Sequence, residues 1–200
     1  MGLRLEYINF INETIALAGL QRTNRLTMCE LGNQRLRENM AGITKAKTGK
    51  EYFSSLGYNH TSIDLNGLDG ALPLDLGKPI QDCGLIGQFD VLTNSGTSEH
   101  VESQYECFKN LHFLVKQNGI LIHLNPMTGS WPGHALYYYT FDLHRQMGRQ
   151  CDYEILRECD MALSGEHSHL VCVGLRKRGK NTFISQAEFE KIVSDTIFRA

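Results

Sequence analysis

RLTMCELGNQRL, residues 25–36, is the stretch that decides the fold of this chain. Leu26, Met28, Cys29 and Leu31 make a short, largely apolar run that stops at Gly32, and polar residues able to open a helix follow at once. The pattern predicts the first strand of an α/β sheet and the turn that leaves it. Ligands of such sheets bind in the crevice outside the carboxyl ends of the strands, so Glu30, Gly32 and Asn33 are expected at a binding edge. Gly32 has no Cβ and lets the backbone approach a ligand closely.

Working outward, residues 58–65 predict a second strand that carries Asp64 to the same edge, followed by Leu65. A carboxylate there, with no cation beside it in sequence, suits the diol of a ribose. ALPLDL, residues 71–76, predicts a short third strand. Asp75 near its end has two readings, acceptor for the exocyclic amine of a purine or cap of the next segment. FDVLTN, residues 89–94, predicts a fourth strand, and SGTSEHVES after it brings Glu99 and His100 to the edge where Gly32 and Asp64 lie.

The remaining segments alternate in the same way. Residues 4–20, with Leu5, Ile8, Ile11, Ile15 and Leu17 near helical spacing, predict a helix outside the sheet. Tyr52, Phe53 and Leu56 give a helical apolar face that Gly57 stops, and Lys45, Lys47 and Lys50 before it lack the surroundings of a phosphate loop. Residues 104–115 predict an amphipathic helix, 120–124 a fifth strand, 140–147 a helix, and 153–158 and 167–175 a sixth and a seventh strand in an antiparallel hairpin. His167 and His169 on one face of that last strand read as edge polarity, and no metal site is expected. Residues 125–139, NPMTGSWPGHALYYY, follow the fifth strand and hold Pro126, His134 and Tyr137. They suit a substrate-shaping wall and, equally, an aromatic cluster filling one end of the core. Ser185, with Glu188 three positions later, opens a final helix over 185–198 with an apolar stripe of Phe189, Ile192, Val193 and Ile197.

Two hundred residues at 42% hydrophobic content favour one domain over 1–200, with the terminal helices as appendages. A net charge of −2 with scattered basic residues lacks the electrostatic footprint of a nucleic-acid or membrane binder. No apolar run approaches a membrane span, and acids and asparagines stand early in the chain where a signal peptide is apolar, which predicts a cytoplasmic protein acting on small molecules. A homodimer is left open. The six cysteines form no CxxC pair and read as small buried hydrophobes.

The chain resembles the class I S-adenosylmethionine-dependent methyltransferases, particularly the small-molecule, type 11-like group, through FDVLTNSGTSEHV at residues 89–101 joined to the 30–32 turn and Asp64. The likeness covers roughly residues 26–175. It implies a three-layer, Rossmann-like α/β methyltransferase fold whose seven-stranded, mostly parallel sheet ends in an antiparallel hairpin. It also implies S-adenosylmethionine as cofactor: Glu30, Gly32, Asn33 and Gln34 at its methionine part, Asp64 and Leu65 at the ribose, Leu74, Asp75 and Leu76 at the adenine, and Asn94, Ser95 and Gly96 along the methionine and methyl group. Glu99 and His100 match the pair that borders the substrate, with His123, Pro126, His134 and Tyr137 as further substrate-side candidates. The family's first motif usually reads ExGxGxG, whereas Gln34 and Leu36 stand here where later glycines are common. A side chain at 34 either hydrogen-bonds the cofactor's carboxylate or occupies the cofactor's space.

Methyl transfer from a sulfonium is an in-line displacement in which alignment supplies much of the rate. For a hydroxyl or amine acceptor, His100 is the candidate base, with His123 and His134 as substitutes. The runner-up is a catalytically degenerate, methyltransferase-like binding protein. A nicotinamide-dependent oxidoreductase ranks lower for want of GxGxxG, and a hydrolase for want of GxSxG.

Overall fold

In the computed structural model, which describes residues 2–20, 25–163, 168–179 and 182–199, the opening run is strand β1 (Thr27–Leu31). It lies one place in from the edge of a six-stranded sheet, between β2 (Asn59–Ile63) and β3 (Phe89–Ser95), and the sheet continues through β4 (Val115–Pro126), β7 (His169–Lys177) and β6 (Tyr153–Ala162). The four strands β2, β1, β3 and β4 run parallel, and β7 is antiparallel to both its neighbours. Leu31 sits opposite both Ile63 and Asn94, so the ends of β1, β2 and β3 stand level.

Period-two alternation sorts the strand side chains into two layers. Met28, Val91, Ile120, Ile122, Leu170 and Cys172 pack with α1 (Leu5–Leu17) and α2 (Gly49–Ser55) on one face. Cys29, Leu31, Leu92, Leu121, Val171 and Val173 pack on the other with α3 (Gln104–Leu114), α4 (Phe141–Cys151) and α5 (Gln186–Thr196). The result is the three-layer arrangement the alternation of elements predicts. The six cysteines are free thiols.

Four expectations need correction. Residues 71–76 form no strand: Leu72 makes one bridge to Ile63, and the next N–H able to continue the ladder, that of Leu74, turns back to Leu72 O at 2.9 Å. The main sheet therefore has six strands among the described residues where seven are expected. Strand β4 starts at Val115 and not at 120, because Val115 pairs with Phe89 before residues 116–119 bulge out and pairing resumes at Ile120. Tyr137–Tyr139 is a short strand, β5, that pairs antiparallel with β8 (Ile197–Arg199), so Ile197 begins a strand instead of completing the stripe of α5. The capping box of Ser185 and Glu188 at the start of α5 is present. His167 and the turn SGEH lie outside the described residues.

Glu30 is expected at the binding edge but is fully buried, on the side of β1 that faces α2. Its Oε1 accepts the Gln34 N–H at 3.2 Å and the Ser62 hydroxyl at 3.5 Å. Its Oε2 has no hydrogen-bond partner and lies 3.8 Å from His60 Nε2. A side chain at position 49 would run into that oxygen, which is why a glycine opens α2 there. Burial pushes the Glu30 carboxyl up to about 8 and the His60 imidazole down to about 4, so the two face each other uncharged near neutrality.

This pair sets opposite limits on stability. An unfolded His60 takes up a proton near 6.5 that the folded chain refuses until about 4, so stability falls as pH drops through that window. An unfolded Glu30 releases its proton near 4.5 while the folded chain holds it to about 8, so stability also falls as pH rises through that range. Glu30→Gln removes the second slope only. In urea unfolding, the variant should gain on the parent between pH 5 and pH 8. An equal difference at both pH values would show that Glu30 is not held protonated.

Candidate functional site

The site is built where β1 turns at Gly32. This residue has φ +76, a left-handed conformation that glycine adopts without strain, and its N–H donates to Ile63 O at 2.8 Å. A Cβ added there would lie 2.6 Å from Thr97 Oγ1 and 2.7 Å from Gln34 Nε2. One residue on, the Asn33 N–H donates to Asp64 Oδ2 at 2.7 Å, while the Asn66 N–H donates to Oδ1 at 3.1 Å. These bonds leave further lone pairs on both carboxylate oxygens.

A cleft of about 830 Å³ opens at this edge. Gly32, Asn33 and Gln34 form one wall, Asp64 and Leu65 another, Leu74, Asp75 and Leu76 a third, and Gly96, Thr97 and His100 close it on the β3 side. Ten of the residues expected at the site, drawn from four separated segments, thus share one cavity of the size that small ligands occupy. Asp75 accepts the Gly77 N–H at 2.9 Å and pairs with Lys78 at 3.2 Å, contacts that hold its carboxyl below the usual range. It caps its own turn while lining the cleft.

Gln34 is the departure from the usual glycine pattern, and its side chain folds back over Gly32. Its Nε2 donates to Leu31 O at 3.3 Å and to Thr97 Oγ1 at 3.5 Å, while its Oε1 is buried with no partner. Thr97 donates from the same hydroxyl to Leu31 O at 2.8 Å. The carboxamide therefore covers the carbonyl at the end of β1.

Several expected residues lie elsewhere. Asn94 and Ser95 are buried and are not part of the cleft lining. Asn94 Nδ2 donates to Ser98 Oγ at 2.8 Å and Asn125 Oδ1 at 3.2 Å, which makes it a support for the turn after β3. His123, a substitute base in the sequence reading, is opposite Asn94 on β4 and inside the helix layer, stacked at 5.8 Å on Phe108 and 4.6 Å from the His144 ring. Burial pushes it down to about 4 and removes it from the cleft chemistry. Pro126 pairs with Leu170 inside the sheet, and the Tyr137 hydroxyl donates to Glu102 O at 2.8 Å. Of the two readings of the aromatic loop, core filling holds for Tyr139, which is fully buried and bonded to Gln104 at 2.8 Å.

His134 differs from its aromatic neighbours. Its ring lies 5.2 Å from that of His100, and its buried Nε2 has no partner. Glu99 is fully buried beside them, with Oε2 accepting from Asn125 Nδ2 at 3.0 Å and Oε1 unpartnered. Burial pushes the Glu99 carboxyl up to about 7, and burial with the neighbouring His134 pushes His100 below its ordinary value. Sequence reasoning missed Thr97, Gln104 and Asn125. Thr97 sits inside the GTSEHV segment, so its position offered a signal, while Gln104 and Asn125 offered none.

No protein-family model matches the chain. No curated protein matches it either. Solved structures do. The chain is similar to the 1,6-didemethyltoxoflavin-N1-methyltransferase of Burkholderia thailandensis, solved with 1,6-didemethyltoxoflavin and S-adenosylhomocysteine bound, at TM-score 0.60 and 13% identity over 85% of this chain and 79% of that one. It is similar to a proposed S-adenosylmethionine dependent methyltransferase from Listeria monocytogenes at TM-score 0.57 and 14% identity over 88% and 99%. A proposed sarcosine dimethylglycine methyltransferase from Galdieria sulphuraria follows at TM-score 0.51 and 11% identity over 86% and 84%. The chain has the Rossmann-like fold of the class I methyltransferases, with a mostly parallel sheet closed by an antiparallel hairpin.

Proposed function

We propose that the protein transfers a methyl group from S-adenosylmethionine to a hydroxyl or amine of a small molecule. One observation carries the reading: the Gly32 turn, Asp64, Asp75, Gly96 and His100 face a single cleft at the strand ends of a methyltransferase fold. In this reading Asp64 accepts hydrogen bonds from the ribose diol, and Leu74, Asp75 and Leu76 border the adenine. The methionine part lies against the turn at Gly32 and Asn33 and along Gly96. The acceptor enters beside His100, whose neutral imidazole turns a lone pair toward it. When bound, S-adenosylmethionine would supply the methyl group: the acceptor's lone pair would form the bond to carbon as the S–CH3 bond broke with its electrons on sulfur, and His100 would take the acceptor's proton. Because the leaving group carries its own activation, the chain's main work is alignment and exclusion of water. The bound acceptor of the Burkholderia neighbour supports a small-molecule class.

Gln34 favours a second reading, a binding protein that keeps the cleft without turnover, since its carboxamide covers the backbone that the methionine part needs. Rotation of that one side chain separates the two. It costs two long hydrogen bonds, of 3.3 Å and 3.5 Å, together about 1 kcal/mol.

Thermal shift with S-adenosylmethionine, S-adenosylhomocysteine and NAD, each alone, should raise the melting temperature with the first two and not the third. Asp64→Ala should weaken S-adenosylhomocysteine at least about tenfold, as loss of a charge-assisted hydrogen bond costs about 1.5–3 kcal/mol. A shift with NAD alone would overturn the reading.

Gln34→Ala should tighten S-adenosylhomocysteine about fivefold in calorimetry, because about 1 kcal/mol of displacement cost disappears. Weaker binding would instead make the carboxamide a direct ligand of the cofactor.

A further inference from the structure

Among the described residues, Glu99, His100 and His134 alone bring three side chains with metal-ligating atoms together, all within 4.8 Å of one another. The turn after β3 supplies the first two, and the loop before β5 supplies the third. No hydrogen bond or ion pair joins the carboxylate to either imidazole, although burial makes an unused polar atom costly. Glu99, with no exposure at all, keeps Oε1 unpartnered, and His134 keeps a buried Nε2 unpartnered. Two buried, unpartnered ligand atoms in one cluster with a half-exposed imidazole call for a group that takes lone pairs and offers none.

We propose that Glu99, His100 and His134 bind a divalent first-row transition ion, such as zinc, cobalt or manganese, at the acceptor end of the cleft. Two imidazoles with one carboxylate suit such ions, whereas magnesium and calcium prefer all-oxygen sites. Neighbouring ligands on a tetrahedral ion at about 2.1 Å stand about 3.4 Å apart, so the cluster closes on the ion by rotation of the exposed His100. The supporting shell is already built. Asn125 Nδ2 holds Glu99 Oε2 at 3.0 Å, and Asn94 and Ser98 hold Asn125. The Glu99 carbonyl accepts the Leu136 N–H at 3.1 Å, which ties the His134 loop to the first two ligands, and the His134 N–H donates to the Tyr138 hydroxyl at 3.0 Å. Such outer partners fix the orientation of metal ligands.

Three protein ligands leave coordination positions open, and His100 is part of the cleft wall, so the open positions face the acceptor. With the ion bound, the His100 lone pair serves the ion in place of the acceptor, and the ion grips an oxygen or nitrogen of the acceptor, whose proton then passes to water. This use of the ion rests on the methyl-transfer reading. The binding of the ion rests on the donor set alone.

The test uses the untagged full chain, stripped with a chelator and titrated with cobalt(II), then zinc(II), in the absence of cofactor. The expected result is one equivalent per chain, visible cobalt ligand-field bands, and a raised melting temperature. Glu99→Gln and His134→Ala should each weaken cobalt by tenfold or more, on the order of what loss of an outer partner alone costs, while S-adenosylhomocysteine affinity stays within about twofold. His100→Ala should lose the bands even if Glu99→Gln fails to fold. Uptake that persists unchanged in His134→Ala and His100→Ala, or no uptake by the parent chain, overturns the site. Failure of S-adenosylhomocysteine to bind while cobalt binds would sink the methyl-transfer reading and leave the ion in place.

Discussion

The closeness of three strand ends at Gly32 is the constraint on which the rest of the structure depends. The N–H of Gly32 reaches back to the end of β2, the next N–H holds the carboxylate of Asp64, and Thr97 from beyond β3 reaches the carbonyl of Leu31. No residue with a Cβ fits between those partners without displacing one of them. Glycine there is thus a packing requirement of the fold before it is a feature of any ligand site, and its positive φ aims the chain away from the sheet. A cleft at this edge follows because the turn cannot fill the space it opens.

Below the cleft lies a layer of polar groups that apolar packing alone would not maintain. Asn94, Ser98, Asn125, Tyr139 and Gln104 exchange hydrogen bonds in a chain that is buried throughout. Each member satisfies another, so the network is rigid, and removing one would strand the rest. Its geometric product is the turn from Ser98 to His100. The network also explains why the residues after β3 do not all line the cleft: those with side chains turned inward secure the ones turned out.

The fold was legible in the sequence wherever a periodic signal persisted over a whole element. Gly32, Asp64 and the segment after β3 could be put on one edge because parallel strands bring their ends level. The 71–76 segment misled because ALPLDL has the composition of a strand, and the deciding fact is that the Leu74 N–H folds back on Leu72 O instead of reaching β2. Strands β5 and β8, three residues each, are too short to show any period, and their pairing spans almost sixty residues. Glu30 and His60 could not be paired from sequence, since their contact arises from the register between β1 and β2 and from the missing side chain at Gly49. His123 and His134 looked alike as residue types. A strand register sent one into the core, and a loop delivered the other to Glu99.

The two ends of the cleft are joined by a single short turn. Thr97 touches Leu31 and Gln34 at one end, and two residues later Glu99 and His100 begin the cluster with His134 at the other. A Gln34 side chain moved off the Leu31 carbonyl also leaves Thr97 Oγ1, 3.5 Å from its Nε2. The polar network fixes Ser98 from below, between Thr97 on one side and Glu99 on the other. The Gln34 end and the Glu99 and His100 end are thus two residues of backbone apart, and His100 is the exposed member of the cluster.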